Sequence, residues 1–246
     1  MKFIVVKDYA EMSKVMAEKV IKLVHEKPDL TFCIPAGSSP IGMYEELVKE
    51  NNAGTVDFSK VTTFNMDEYV GLTADHPQSY RYFADHYFLN HINIDRNNVV
   101  SPQAHVDNPA EAAETYKNEI LKRGGFEITI SGVGDNGHIA FNEPNSYLRP
   151  HAHLVDLDEA TITANSRFFD DIKDVPKQAL TIGIADVMLS KNLFIIASGE
   201  KKAPIFERLF EKDHIDPQFP ITFLRMHPNV TFILDEAAAS KIIDKL

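Results

Sequence analysis

Residues 128–144 read ITISGVGDNGHIAFNEP, and this stretch carries the pattern that decides the fold class. The run 128–133 is short and mostly apolar, which is typical of a strand buried on both faces of a parallel sheet. Gly132, Gly134 and Gly137 have the GxGxxG spacing of a dinucleotide-binding loop. Such a loop leads directly into a helix, whose N-terminus binds the pyrophosphate. The residues after Gly137 therefore decide between a nucleotide site and another kind of loop at a strand end.

No helical pattern follows Gly137. The chain continues as HIAFNEP over 138–144, and Pro150 follows soon after. Asp156 or Asp158 does supply the acidic residue that the dinucleotide fingerprint places about 20 residues further on. The missing helix outweighs that match, so we predict no nicotinamide cofactor. We expect the glycines to let the backbone pass close to a small ligand.

Short apolar runs alternate with longer amphipathic ones along the whole chain. We predict strands at 3–6, 30–35, 61–65, 128–133, 180–184, 193–197 and 230–234. We predict one helix that follows Asp8 and runs to Val24, and further helices at 41–50, 80–89 and 109–122. This alternation predicts an α/β fold, with an open, mostly parallel sheet and helices on both faces, in a single Rossmann-like domain over residues 1–246. Segments 144–178 and 211–229 are rich in Pro, Asp and His, and we predict that they form loops closing over a site.

The composition excludes several classes of function. The chain has 246 residues and a formal net charge of −11, with no basic run, so we expect no binding to nucleic acid or to a membrane. Cys33 is the single cysteine, and no second His or Cys is spaced for ligation, so we expect no disulfide and no metal site. The apolar run 3–6 is too short for a signal peptide, which predicts a cytoplasmic protein. Monomer and homo-oligomer both remain open.

Polar clusters follow four of the predicted strands. They are AGSSP at 36–40, MDEY at 66–69, the glycine stretch at 132–144, and SGEKK at 198–202. Ligands of parallel sheets bind outside the carboxyl ends of the strands. We therefore expect the four clusters to meet at one edge of the sheet.

The first cluster has the composition of an anion site. Gly37 permits a tight turn, and the hydroxyls of Ser38 and Ser39 stand before a helix N-terminus, where anions bind. A plain helix cap explains the same residues. Lys202 and Arg167 are candidates for additional positive charge, and each is also compatible with an ordinary surface position.

Two further clusters have the residue types of acid–base chemistry. Asp67 follows a strand among apolar residues, which disfavours its ionised form and makes it a strong base, although a loop acid or helix cap is the simpler alternative. A histidine such as His138 can shuttle a proton, and Glu143 could fix its tautomer; the alternative is a loop histidine beside a turn residue. No GxSxG nucleophile motif occurs. These residues predict proton transfer on a small anion such as a sugar phosphate.

The same residues resemble the glucosamine-6-phosphate deaminases, within the glucosamine/galactosamine-6-phosphate isomerase family. The matching pieces run in family order across nearly the whole chain: GSSPIGMYEEL (37–47), VTTFNMDEYVGL (61–72), HPQSYRYF (76–83), GVGDNGHIAFNEP (132–144), ANSRFF (164–169), VPKQALTIGI (175–184) and SGEKKA (198–203). The related 6-phosphogluconolactonases share the glycine loop and its histidine but lack the NEP ending.

The resemblance implies an enzyme that converts an amino-sugar 6-phosphate and water into fructose 6-phosphate, or its epimer, and ammonia, without a cofactor. His138 would open the pyranose ring with help from Glu143, and Asp67 would move a proton between C2 and C1. The phosphate would be held by five residues: Gly37, Ser38, Ser39, Arg167 and Lys202. The alternatives are a deaminase/isomerase for galactosamine 6-phosphate, a lactone hydrolase and a non-catalytic sugar-phosphate sensor.

Three positions depart from the family pattern. Asn136 stands where some members carry an aspartate; an amide could orient His138 but could not stabilise its charged form as a carboxylate would. Residues 36–39 read AGSS where Thr-Gly-Gly-Thr is common. His153 and Val155 replace the basic pair that binds an allosteric activator in some bacterial members, so we expect no such regulation.

Overall fold

The secondary structure follows the predicted alternation closely. The computed structural model describes residues 1–211 and 213–246, and all side chains in them except those of Ala160, Ala164 and Phe168. The strands are β1 (Lys2–Val6), β2 (Thr31–Ile34), β3 (Thr62–Asn65), β4 (Asp67–Tyr69), β5 (Val99–Val100), β6 (Ile128–Ser131), β7 (His153–Asp156), β8 (Gln178–Thr181), β9 (Asn192–Ala197) and β10 (Val230–Asp235). The α-helices are α1 (Tyr9–Glu26), α2 (Ile41–Asn52), α3 (Tyr80–Ala84), α4 (Pro109–Lys122), α5 (Glu159–Asn165), α6 (Ile184–Met188), α7 (Ala203–Glu211) and α8 (Glu236–Ala239).

Seven strands form the central sheet, in the order β1-β10-β9-β6-β2-β3-β5, and every neighbouring pair is parallel. One face of this sheet packs on α1 and α2 through a core that includes Met16, Tyr44 and Phe32. The opposite face packs on α4, α7 and α8 through residues such as Ile120 and Phe206. The central strands are thus buried on both faces, and the predicted fold class is confirmed.

A second, antiparallel sheet of three strands, in the order β4-β8-β7, was not predicted. The predicted strand 180–184 lies instead at 178–181 and pairs with β4 and β7 outside the central sheet. β7 falls within segment 144–178, so the prediction of loops alone in that segment is wrong. Its residues are partly exposed on both faces, which hides the alternation that identifies a strand.

The helix ends follow the local sequence. Asp8 caps α1 by accepting a hydrogen bond from the Glu11 backbone at 3.0 Å, as predicted, while the Glu11 carboxylate accepts from the Lys7 backbone N–H at 2.8 Å. The predicted helix 80–89 is α-helical only to Ala84 and continues as one π-turn over Asp85–Leu89. No helix in the described part of the chain is long and apolar enough to cross a membrane.

The register of the central sheet brings the polar clusters together. Ile34 at the end of β2 lies beside Asn65 at the end of β3, and Ser131 at the end of β6 lies beside Ile195 of β9. The four strands point the same way, so the segments that follow them emerge at one edge. This is the edge at which ligands bind in such sheets.

Candidate active site

A cavity of about 460 Å³ opens at this edge, and residues from all four polar clusters line it. Seven of the nine predicted site residues face the cavity: Gly37, Ser38, Ser39, Asp67, His138, Arg167 and Lys202. The other two, Asn136 and Glu143, do not line it and lie behind the His138 ring, which both contact. Segments distant in sequence therefore converge as the strand-end argument predicts.

Asp67 belongs to β4, where it pairs with Thr181 of β8, and its residue is only 8% exposed. In the described part of the chain no side chain or backbone N–H donates a hydrogen bond to its carboxylate. Burial, reinforced by the neighbouring charge of Glu68, raises the pKa of Asp67 to about 8. The alternatives of a loop acid and of a helix cap are thereby excluded.

Glu68 is the acid that caps, although the sequence does not distinguish it from Asp67. Its carboxylate accepts hydrogen bonds from the backbone N–H groups of Tyr69, Tyr80 and Arg81, at 2.9, 2.9 and 2.8 Å. Two of these groups lie in the first turn of α3, where backbone N–H groups have no partner within the helix. Glu68 thereby joins β4 to α3 and fixes the strand that carries Asp67.

The protein around His138 determines which of its ring nitrogens carries the proton. The His138 backbone N–H lies 3.1 Å from one side-chain atom of Asn136, so that atom must be the acceptor, Oδ1. His138 Nδ1 lies 2.8 Å from the same Oδ1 and 3.1 Å from Glu143 Oε2, both of which only accept. Nδ1 therefore donates, and Nε2 is the nitrogen left to exchange a proton with a ligand.

Glu143 supplies the negative charge that Asn136 lacks. Its Oε2 accepts a hydrogen bond from Asn136 Nδ2 at 2.7 Å, and its Oε1 accepts one from Thr161. Burial opposes ionisation here, but the hydrogen bond and positive charge of His138, with the Thr161 and Asn136 bonds, lower the pKa of Glu143 to about 2. A carboxylate thus remains beside His138 even though position 136 is neutral.

The loop glycines make room for protein side chains. A Cβ on Gly134 would lie 2.1 Å from His138 Cε1, so the imidazole occupies the space above this glycine. Gly137 has φ of +86° and a Cβ there would lie 2.3 Å from the Phe219 ring. Gly132 and Gly134 line the cavity, in line with the predicted close approach of the backbone to a ligand; the space that Gly134 and Gly137 leave for the His138 and Phe219 rings was not predicted.

The segment before α2 has the form of an anion cradle. Gly37 has φ of +102°, which favours glycine, and α2 begins after Pro40 without a side-chain cap. Within the described residues, neither the Ser38 nor the Ser39 hydroxyl donates to or accepts from the helix, so the plain helix cap is excluded. Tyr9 braces this segment: its hydroxyl donates to the Ser38 carbonyl at 3.0 Å and accepts from the Gly42 N–H at 2.9 Å.

Cationic side chains also line the cavity. Lys202 donates hydrogen bonds to the Val133 carbonyl at 2.9 Å and to Asp135 Oδ1 at 2.5 Å. Arg167, on the short 3-10 turn Ser166–Phe168, lines the cavity from the opposite segment, and Lys201 lines it beside Lys202. Three cations therefore line the cavity in a chain of net charge −11, and one of them, Lys202, is paired with Asp135.

The family of the chain follows from its sequence relatives. Residues 7–233 match the family described as glucosamine-6-phosphate isomerases/6-phosphogluconolactonase. The chain belongs to this family. A glucosamine-6-phosphate deaminase of Clostridium perfringens (strain 13) is 46% identical over 239 residues, which cover 97% of this chain and 98% of the relative. One of Thermoanaerobacter pseudethanolicus is 44% identical over 245 residues, covering 100% of this chain and 96% of the relative. The resemblance inferred from the motifs is confirmed.

Solved structures of the family share the architecture. A monomeric glucosamine-6-phosphate deaminase superposes with a TM-score of 0.94 at 34% identity, covering 98% of this chain and all of that one (100%). A 6-phosphogluconolactonase from Trypanosoma cruzi superposes with a TM-score of 0.79 at 20% identity, covering 98% of this chain and 97% of that one, and shows the common fold alone.

Several side chains of this family member support the site without a signal in the sequence. Tyr80 and Phe141 line the cavity, and their rings stack with centroids 6.1 Å apart. Asn165 donates to the Tyr69 hydroxyl at 2.7 Å, and the Tyr80 hydroxyl donates to the same oxygen at 3.2 Å. An aromatic stripe at helical spacing is usually core, so only the fold assigns Tyr80 to the site.

His153 and Val155, the two positions at which we expect no binding of an allosteric activator, lie on β7 of the antiparallel sheet. Neither lines the cavity. Burial lowers the pKa of His153, partly offset by a hydrogen bond to the His151 backbone. The side chain is therefore mostly neutral near pH 7 and contributes little charge for an anionic effector.

Proposed function

We propose that the protein is a glucosamine-6-phosphate deaminase, which converts glucosamine 6-phosphate and water into fructose 6-phosphate and ammonia. One observation supports this most directly: the unpaired carboxyl of Asp67 and the ring of His138 face one cavity, which Arg167 and Lys202 also line. Its volume of about 460 Å³ lies in the range of about 300–1,000 Å³ usual for small-molecule sites. The arrangement suits two proton transfers on a phosphorylated sugar, and no cofactor is needed for either.

Ring opening is the first step. His138 Nε2 takes the proton from the anomeric hydroxyl as the C1–O5 bond breaks and the C1 carbonyl forms, and the ring oxygen then receives that proton. The imidazole is positively charged between the two transfers. Glu143, whose Oε2 lies 3.1 Å from Nδ1, stabilises that charge, and Asn136 and Glu143 together hold the proton on Nδ1.

Isomerisation and deamination follow on the open chain. Asp67 removes the proton from C2 while the ammonium group on C2 gives a proton to the carbonyl oxygen O1, which leaves an enolamine across C1 and C2. Asp67 then delivers its proton to C1. The resulting imine at C2 adds water and releases ammonia, giving the ketose. A pKa of about 8 suits this role, because a general base is most effective when its pKa is close to the working pH.

The phosphate occupies the opposite end of the cavity in this proposal. Gly37, Ser38 and Ser39 present a turn and two hydroxyls before α2, and Arg167 and Lys202 add positive charge. Charge-assisted hydrogen bonds to phosphate are among the stronger polar contacts in proteins. We further propose that the enzyme acts on this small molecule in the cytoplasm, without nucleic acid or membrane partners.

Ammonia release tests the proposal. Purified protein should release ammonia from glucosamine 6-phosphate and form fructose 6-phosphate in equal amount, while Asp67→Asn should be nearly inactive. The same assay with galactosamine 6-phosphate measures the preference for the C4 epimer, and hydrolysis of 6-phosphogluconolactone is measured in parallel. Lactone hydrolysis without ammonia release from either amino sugar would refute the proposal, and a faster reaction with the galacto epimer would reassign the substrate.

A further inference from the structure

The two oxygens of the Glu143 carboxylate have different partners. Oε2 faces the ring-opening histidine, at 3.1 Å from His138 Nδ1 and 2.7 Å from Asn136 Nδ2. Oε1 points away from them and accepts a hydrogen bond from the Thr161 hydroxyl, on α5. In the described part of the chain, no other donor bonds Oε1.

The Glu143 carboxylate and the Thr161 hydroxyl are both largely removed from solvent. The Glu143 side chain is 9% exposed, and the Thr161 residue is 7% exposed. A carboxylate buried to this degree must keep its hydrogen bonds, because an unsatisfied charged oxygen costs more than the bond itself contributes. Because Thr161 bonds Oε1 and Asn136 bonds Oε2, both oxygens of the carboxylate are held, and Oε2 is directed at His138.

We propose that Thr161 is a positioning residue for ring opening: its hydroxyl fixes the Glu143 carboxylate and thereby the orientation and tautomer of His138. The proposal rests on the proposed function, because it concerns the proton transfer assigned to His138. Thr161 does not line the cavity and contacts no reacting atom, so its effect passes through Glu143.

The helix that carries Thr161, α5, also leads to the cation Arg167. The turn Ser166–Phe168 directly follows α5, and it carries Arg167 into the cavity. The helix that presents the hydroxyl to the histidine–glutamate pair therefore also precedes the cation assigned to the phosphate. Thr163, two residues further on, is exposed and provides a matched control on the same helix.

Thr161→Val keeps the shape of the side chain and removes only the hydroxyl. We expect kcat to fall by about ten- to a hundredfold with KM nearly unchanged, as for other partners that orient a catalytic group. Thr161→Ser, which restores the hydroxyl, should recover most of kcat, and Thr163→Val should match wild type. Circular dichroism and the melting temperature establish that each variant is folded.

A double-mutant cycle separates positioning from a general structural role. In a Glu143→Gln background Thr161→Val should have little further effect on kcat, because the group it positions is already altered. Equal effects of Thr161→Val in both backgrounds would overturn the proposal. So would a Thr161→Val enzyme with wild-type kcat.

A readout independent of turnover is the tautomer of His138, measured by long-range ¹H–¹⁵N correlation of its imidazole. Wild type should show the proton on Nδ1 alone, and Thr161→Val should show a mixture of tautomers. If wild type releases no ammonia, the proposed function fails whatever the spectrum shows. If wild type is active and Thr161→Val leaves both kcat and the tautomer unchanged, only the role of Thr161 fails.

Discussion

Asp67 and His138 line the same cavity. Other side chains hydrogen-bond the ring of His138, but none of the described residues hydrogen-bonds the carboxylate of Asp67. Two acceptors, Asn136 and Glu143, hold Nδ1 of His138, whereas no hydrogen bond from the described residues reaches the carboxylate of Asp67. The histidine is thus fixed in one tautomer and assisted by a permanent negative charge. The carboxyl of Asp67 is destabilised in its ionised form, which makes it basic. This difference matches the two separate proton transfers that we propose for them.

Replacement of Asp67 by asparagine should abolish most turnover without weakening substrate binding. The amide has the shape of the protonated acid but cannot take a proton from C2, and loss of a general base costs about 10²- to 10⁴-fold in rate. The measurement is kcat and KM for ammonia release from glucosamine 6-phosphate. A kcat within a factor of about two of wild type would exclude Asp67 as the base.

The same variant should change how stability depends on pH. The pKa of Asp67 is raised from 3.8 to about 8, so between these values the folded protein holds a proton that the unfolded chain has lost. The contribution of Asp67 to stability is therefore complete below about pH 4 and is lost as the pH rises through about 8. The asparagine of the variant has no proton to lose in this range.

Asp67→Asn should consequently be more stable than wild type, by an amount that grows between about pH 4 and pH 8 and then stays constant, of the order of a few kcal/mol. Chemical denaturation at several pH values measures this difference. A difference independent of pH would show that Asp67 titrates as an ordinary surface acid.

The sequence predicts the central sheet well because its strands are apolar on both faces. It also predicts the edge at which the site lies, since polar clusters at 36–40, 66–69 and 198–202 each follow such a strand. It fails for β7, whose partly exposed residues show no alternation, and for the antiparallel sheet to which β4 and β8 belong. These strands are short, and their pairing partners are distant in sequence.

Contacts within the site were harder to predict than its location. Which of two adjacent acids, Asp67 or Glu68, caps α3 depends on side-chain direction in β4, which no pattern in the sequence encodes. Thr161 reaches Glu143 only because α5 folds over the glycine loop. The function of Gly134 is also set by a neighbour in space, the His138 ring.

Gly134→Ala should disable the enzyme by displacing His138. The added methyl would lie 2.1 Å from His138 Cε1, which forces the ring or the loop to move. We expect kcat to fall by at least about 10²-fold, as for loss of an acid–base group. Gly132→Ala is the control for the His138 signals alone, since a methyl there would have Ser39 Oγ, at 4.0 Å, as its nearest neighbour. The His138 imidazole signals should change in Gly134→Ala and persist in Gly132→Ala; unchanged signals in both would contradict the explanation.

The last prediction concerns the phosphate. Arg167 and Lys202 lie far apart in sequence but line one cavity, and each charge-assisted contact to a phosphate contributes about 1.5–3 kcal/mol. Arg167→Ala or Lys202→Ala should therefore raise KM by about ten- to a hundredfold. Because binding at the phosphate also positions C1 and C2, kcat should fall as well, but less than in Asp67→Asn.

Lys49→Ala, which removes an exposed lysine paired with Glu46 on α2, should match wild type. Inorganic phosphate should inhibit wild type competitively and the two variants more weakly. Wild-type KM in both variants, or equal turnover of glucosamine without its phosphate, would show that the anion binds elsewhere.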